Sequence, residues 1–99
     1  MKKTTNLLKG TSFYDVTITT TVNELVRVLG EPTIQDNTGE DKTNFEWVCE
    51  TKDGDIVTIY DWKEYRSISE NEKIEFHLGG FKLIHTLDGK DELLRLLEK

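Results

Sequence analysis

Hydrophobic and polar residues follow two different periods along this chain, and the changes of period mark its elements. FYDVTIT, residues 13–19, is rich in β-branched and aromatic residues and predicts a short strand or an extended lead-in. The spacing then turns helical: Val22, Leu25, Val26 and Leu29 form one apolar stripe within TTVNELVRVLGEP. Thr21 followed by Glu24 is a capping box that satisfies two orphan amides at a helix start. Gly30 suits the left-handed residue after the helix, and Pro32 forbids its continuation. TIQDNTGEDKT, residues 33–43, is polar and predicts a mobile loop.

Period two returns in FEWVCETKDGDIVTIYDW, around Asp53–Gly54, a favoured two-residue hairpin turn. Such a turn pairs Thr51 with Ile56, Cys49 with Thr58, Trp47 with Tyr60 and Phe45 with Trp62, all on one side. The other side then carries Glu50 with Val57, Val48 with Ile59, and Glu46 with Asp61. Residues 63–73 are charged and loop-like. Ile74, Phe76 and Leu78 alternate with Glu75 and His77 in a further strand that ends at Gly79–Gly80. Residues 81–87 read as a short last strand or an irregular link. Asp88 then caps a helix with Asp91 at its third position and Leu93, Leu94, Leu96 and Leu97 on its buried side.

The class is α+β: an antiparallel meander of three or four strands, a short helix before it, and a C-terminal helix packed on one face. Ninety-nine residues make one domain, 1–99, with one modest core. Residues 1–12 form a loosely ordered lead from which Leu7 and Leu8 tuck against the domain. Self-association is a further source of burial for so small a chain.

Charge narrows the function. Nineteen acidic against thirteen basic residues give a net charge of −6, which opposes general binding to nucleic-acid phosphates. It suits a soluble protein, or an acidic surface directed at a basic partner. The single cysteine, Cys49, has no internal disulfide partner, and no Cys/His spacing suits a metal. No run approaches ~20 apolar residues and no signal peptide is evident, so no membrane is involved and a reducing cytoplasm is expected. No cofactor is implied.

Three constellations carry candidate chemistry. Phe45, Trp47, Tyr60 and Trp62 share one predicted side, with Phe45 and Trp47 read as core and Trp62 and Tyr65 as candidates for a pocket wall. Glu46, Glu50, Asp61 and Glu75 make an acidic face, with Glu46 opposed to Asp61 as like charges. Joined by His77, they have the groups for a cation or for proton transfer, but Lys42, Lys63 or Arg66 neutralising a solvated face is the simpler reading. Finally, Lys63 and Arg66 beside Tyr65 offer donors to an anion, and Gly79–Gly80 lets backbone amides approach one. Trp62, Lys63, Tyr65, Arg66, His77, Gly79 and Gly80 therefore form the predicted ligand pocket. No nucleophile elbow or phosphate loop is present, so no catalytic residue and no enzyme activity are assigned.

GTSF, LGEP, FEWVCETKDG, IYDWKEYR and EFHLGG occur in an order that resembles a family of small, uncharacterised proteins of tailed bacteriophages, across about residues 10–80. The resemblance implies a phage origin and the host bacterial cytoplasm. More loosely, T-x-x-E-L-x-x-x-L-G-x-P before a Trp-bearing strand is similar to the helix-to-sheet unit of β-lactamase-inhibitor-like and outer-membrane assembly lipoproteins. That similarity implies architecture alone, since the signal sequence and lipidated cysteine are missing. The expected function is a non-enzymatic phage accessory protein that counteracts a host defence system by sequestering a small phosphorylated, nucleotide-like ligand. The alternatives are an acidic surface that inhibits a basic host protein, or a minor virion or assembly component.

Overall fold

The hairpin turn holds three residues where two were expected, and this one-residue difference sets the layout of the sheet. The computed structural model describes residues 1–4, 11–40 and 42–99. In chain order the elements are β1 (Lys2–Lys3), β2 (Ser12–Thr20), α1 (Val22–Leu29), β3 (Ile34–Gln35), β4 (Phe45–Glu50), β5 (Ile56–Tyr60), β6 (Ile74–Gly80) and α2 (Leu83–Leu97). The expectation for Leu7 and Leu8 lies outside the described residues.

Thr51 N–H donates to the Asp55 carbonyl at 2.9 Å, and Gly54 N–H donates to the Thr51 carbonyl at 2.9 Å. Lys52, Asp53 and Gly54 therefore form the loop, with Gly54 at φ 88°, a conformation that glycine adopts without the Cβ penalty. The Asp55 amide donates to the Thr51 hydroxyl at 3.2 Å and fixes the extra residue. The resulting pairs are Glu46 with Tyr60, Trp47 with Ile59, Val48 with Thr58, Cys49 with Val57 and Glu50 with Ile56. The predicted register is thus corrected by one residue, which turns every β5 side chain to the opposite face. Trp47 and Tyr60 lie on different sides, and Glu46 does not oppose Asp61.

The sheet is antiparallel and six-stranded in the order β1-β4-β5-β6-β2, with β3 also paired to β4. Four longer strands correspond to the expected meander and lead-in; β1 and β3 are two-residue additions on segments read as loose lead and loop. Phe45, Trp47, Val57, Ile59, Phe76, Leu78, Val16 and Ile18 pack with Val22, Leu25 and Leu29 of α1 and Leu93 of α2. Each such side chain contributes ~1.5–3 kcal/mol through burial. Trp47, fully buried, meets Phe76 edge-on at 6.1 Å and donates its indole N–H to the Gly30 carbonyl at 2.9 Å.

Both helix boundaries have local causes. The Thr21 hydroxyl accepts from Glu24 N–H at 3.1 Å, the expected half of the capping box. Glu24 does not reach back; its carboxylate takes the Arg27 Nε at 2.5 Å. Gly30, at φ 85°, donates its amide to the Val26 carbonyl and ends α1. α2 begins at Leu83, five residues before the expected cap at Asp88, and its N-cap Lys82 makes no side-chain cap bond. Residues 83–87, read as a strand or an irregular link, are therefore helical, and the link is Phe81 and Lys82 alone. The buried line of α2 is Thr86, Gly89 and Leu93, and Gly89 allows close approach, since a Cβ there would meet Val57 Cγ2 at 2.7 Å. Among the described residues no helix is long and apolar enough to cross a membrane.

Asp61 follows β5 with the inward parity of Val57 and Ile59 and is fully buried. Its carboxylate accepts from the Asn44 amide at 2.9 and 3.0 Å, the Asn44 side chain at 3.1 Å and the Phe45 amide at 2.8 Å. Asn44 also donates to the Arg66 carbonyl at 3.0 Å and accepts from Gly39 N–H at 3.0 Å. Asp61 is therefore corrected from acidic face to interior anchor. Asp61→Ala leaves the Asn44 amide, one N–H of the Asn44 carboxamide and the Phe45 amide unpaired at about 1–3 kcal/mol each before relaxation. Urea titration should show a loss of several kcal/mol, with Asp61→Asn intermediate; a loss as small as for an exposed acid such as Glu70→Ala would contradict this role.

Candidate functional site

The corrected register gathers aromatic rings on the sheet face opposite the helices. Tyr60 ends β5 pointing to this face, Asp61 turns inward, and Trp62 returns outward. On β6, His77 pairs with Tyr60 on one side and Thr17 on the other. On β2 the register shifts between Phe13 and Val16, where Asp15 adopts φ 60°. The irregularity sets Phe13 opposite Gly79, which has no side chain to block the ring, and Phe13 lies on His77 with centroids 4.1 Å apart and planes 8° from parallel. His77 further stacks on Trp62 at 6.2 Å and meets Tyr60 edge-on at 5.6 Å; Tyr60 and Trp62 are 6.0 Å apart.

Two cations border this cluster. The Lys42 ammonium lies 5.8 Å and the Lys63 ammonium 5.7 Å from the Trp62 ring centroid, within cation–π range. Their loops are tied by the Lys63 amide donating to the Lys42 carbonyl at 2.7 Å. Trp62 keeps 40% of its surface exposed and Phe13 39%. Asp15, Lys63 and Tyr65 are the described non-glycine residues at positive φ, and all three adjoin the ring-bearing segments. Such backbone costs of order 1–3 kcal/mol each and persists where the surrounding structure enforces it.

Burial tunes the titratable groups of this face. It raises the Glu46 carboxyl above its ordinary value, and it raises Tyr60, with the Glu46 charge adding to the effect. It lowers His77, against the opposing pull of Glu75 and Asp15. On the other face, burial pushes the Cys49 thiol up to about 12, so thiolate is scarce. The arrangement suits stacking of a planar group and pairing with an anion at its rim.

The predicted seven-residue pocket is divided by the structure. Trp62, Lys63 and His77 come together. Tyr65, 54% exposed, makes no ring contact with them among the described residues. The Arg66 guanidinium forks onto Glu72 at 2.8 and 2.5 Å. Gly79 and Gly80 sit within the sheet, paired with both β2 and β5. Their missing side chains make room for Thr58 and Thr86 respectively, not for an approaching anion. Of the predicted acidic face, Glu46, Glu50 and Glu75 share the side of the rings by strand alternation, and Asp61 leaves it. Phe13, which was not singled out, joins the cluster through a strand irregularity; Tyr60, expected beside Phe45, Trp47 and Trp62, keeps Trp62 as a neighbour and is separated from the other two by the register. A separate cleft of about 200 Å³ is lined by Lys52, Asp53, Asp88, Asp91, Glu92 and Arg95.

No family model, curated protein or solved structure matches the chain. The chemistry of the face therefore stands on its own geometry.

The lowered His77 value has a consequence for stability. The folded imidazole holds a proton less readily than the unfolded one, whose ordinary value is 6.5. Its contribution is fully present above that value and is lost as pH falls below it through the lowered folded value. Urea midpoints should therefore decline on acidification from neutrality, and His77→Gln should flatten the decline. An unaltered slope in the variant would assign the effect to another group.

Proposed function

We propose that this protein is a non-enzymatic phage accessory protein that counteracts a host system by sequestering a small phosphorylated, nucleotide-like ligand. The site of capture is the face formed by Phe13, Tyr60, Trp62 and His77, bordered by Lys42 and Lys63, in place of the wider pocket predicted from sequence. The observation that carries this reading is Trp62, a partly exposed ring with two ammonium groups within 6 Å, inside a chain of net charge −6. A base stacked on Trp62 gains ~1–3 kcal/mol, and its phosphates meet the two lysines at the rim. The phage setting rests on the resemblance carried by LGEP, YDWKEYR and EFHLGG.

The two tryptophans make the test direct, because Trp47 is buried and Trp62 is not. Cyclic nucleotides and nucleoside triphosphates are titrated against tryptophan emission, with melting temperature measured alongside. The binding compound should quench Trp62 and, at ~100 times its dissociation constant, add about 2.7 kcal/mol of stability. Trp62→Ala should abolish the gain, Lys63→Glu should weaken it, and Arg66→Ala should leave it intact. A full gain in Trp62→Ala, or no gain with any compound, would overturn the proposal.

A further inference from the structure

The ring face carries an acid that the fold leaves without a partner. Glu46 of β4 pairs with Tyr60 of β5 and with Ile34 of β3, which sets its side chain on the side of the rings. It is half-buried there, and its carboxylate has neither a hydrogen bond nor an ion pair among the described residues. Elsewhere Glu24, Glu72 and Asp91 pair with arginines, and buried Asp61 is enclosed by N–H groups. Burial raises the Glu46 carboxyl above its ordinary value, and its charge acts on Tyr60. A desolvated acid with no partner is costly, and such groups concentrate where a ligand supplies what is missing.

Position along the hairpin gives this acid a role. Glu46 and Tyr60 share one level of the sheet. Trp62 follows Tyr60 on the same side and stands diagonal to Glu46, at about 7–8 Å between backbones, within reach of a long side chain. Lys42 and Lys63 lie beyond Trp62, where the Lys63 amide donates to the Lys42 carbonyl at 2.7 Å. By backbone position, Trp62 therefore separates an acid from two bases. A purine nucleotide has the same polarity: its sugar and phosphates leave the base at one end, and its Watson–Crick edge faces the other. With phosphates at the two lysines and the base stacked on Trp62, that edge meets Glu46.

We infer that Glu46 selects guanine by accepting from its ring N–H and its exocyclic amino group, an inference that rests on the capture face proposed above. An ionised carboxylate only accepts, and it does so through two adjacent oxygens. Guanine alone among the common bases presents two adjacent donors on its Watson–Crick edge. Adenine and cytosine place one donor beside a ring acceptor, and uracil places one between two acceptors. Each of these sets a lone pair against a Glu46 oxygen. Paired charge-assisted bonds are strong, and a site built to make them rejects a base that lacks the donors. Glu50 and Glu75 share the face but do not compete for this role. Glu75 is exposed and keeps its water, and Glu50 lies nearer the turn, away from Trp62.

Selectivity among bases tests this assignment. The cyclic monophosphates and the triphosphates of guanosine, inosine, adenosine, cytidine and uridine are titrated against Trp62 emission of the full chain. In whichever phosphate form binds, guanosine should bind roughly 5–150-fold tighter than adenosine. Inosine, which keeps the ring N–H and lacks the amino group, should fall between them. Glu46→Gln offers one acceptor and one donor, so it should erase the preference and move it toward adenosine, with near-ultraviolet dichroism showing Trp47 still packed. Glu50→Gln, the same loss of charge on the same face, should leave the preference intact. Nucleotides that quench Trp62 without favouring guanosine would overturn the assignment while the capture face stands. A guanosine preference kept by Glu46→Gln, or lost in Glu50→Gln, would do the same. No binding by any compound would overturn both.

Discussion

The carboxylate of Asp61 is the group on which the placement of most loops depends. It is an anion without solvent, and it is tolerable because three N–H groups of Asn44 and Phe45 surround it. Through Asn44 the same contact reaches Gly39 and the Arg66 carbonyl, so the chain before β4 and the chain after β5 close on one point. A second clasp lies nearby: Asn37 both donates to and accepts from the Ile68 backbone. Lys42 and Lys63 are carried on these two tied segments. The inward turn of Asp61 also obliges Trp62 to emerge on the far side of the sheet. Interior electrostatics and surface recognition are, in this molecule, consecutive residues of one strand end.

The same residue explains how far the sequence can be read. Alternation along β4 is local, so Phe45 and Trp47 fall in the core whatever the turn does. Parity on β5 is counted through the turn, and Asp–Gly signals a hairpin without stating its loop length. The Thr51 hydroxyl, by holding the Asp55 amide, selects three residues. Tyr60 then exchanges sides with Ile59, the apparent clash of Glu46 with Asp61 vanishes, and an acid assigned to the surface becomes an anchor. α1 was legible throughout because its signals, Thr21, the apolar stripe and Gly30, lie within a few residues of one another.

α2 was legible only in its second half. Its first turns bury Thr86 and Gly89 and expose Leu83, Ile84 and Leu87, the reverse of the amphipathic pattern that a sequence reading uses. Gly89 is explained by the nearness of Val57, a contact thirty-two positions away that no local spacing reveals. The ring cluster was hidden for a similar reason. Its best-stacked pair, Phe13 on His77, depends on a strand irregularity at Asp15 and on the absent side chain of Gly79 across the ladder. The aromatic and basic composition of residues 60–66 pointed to the right neighbourhood, and long-range pairing decided its membership.

The two-residue strands β1 and β3 look incidental, yet they cover the outer edge of β4. With β1 and β3 paired along it, the outer side of β4 is already taken, whereas among the described residues β2 pairs on one side alone. Four residues, Lys2, Lys3, Ile34 and Gln35, thus spare β4 the long bare edge on which strands add to one another.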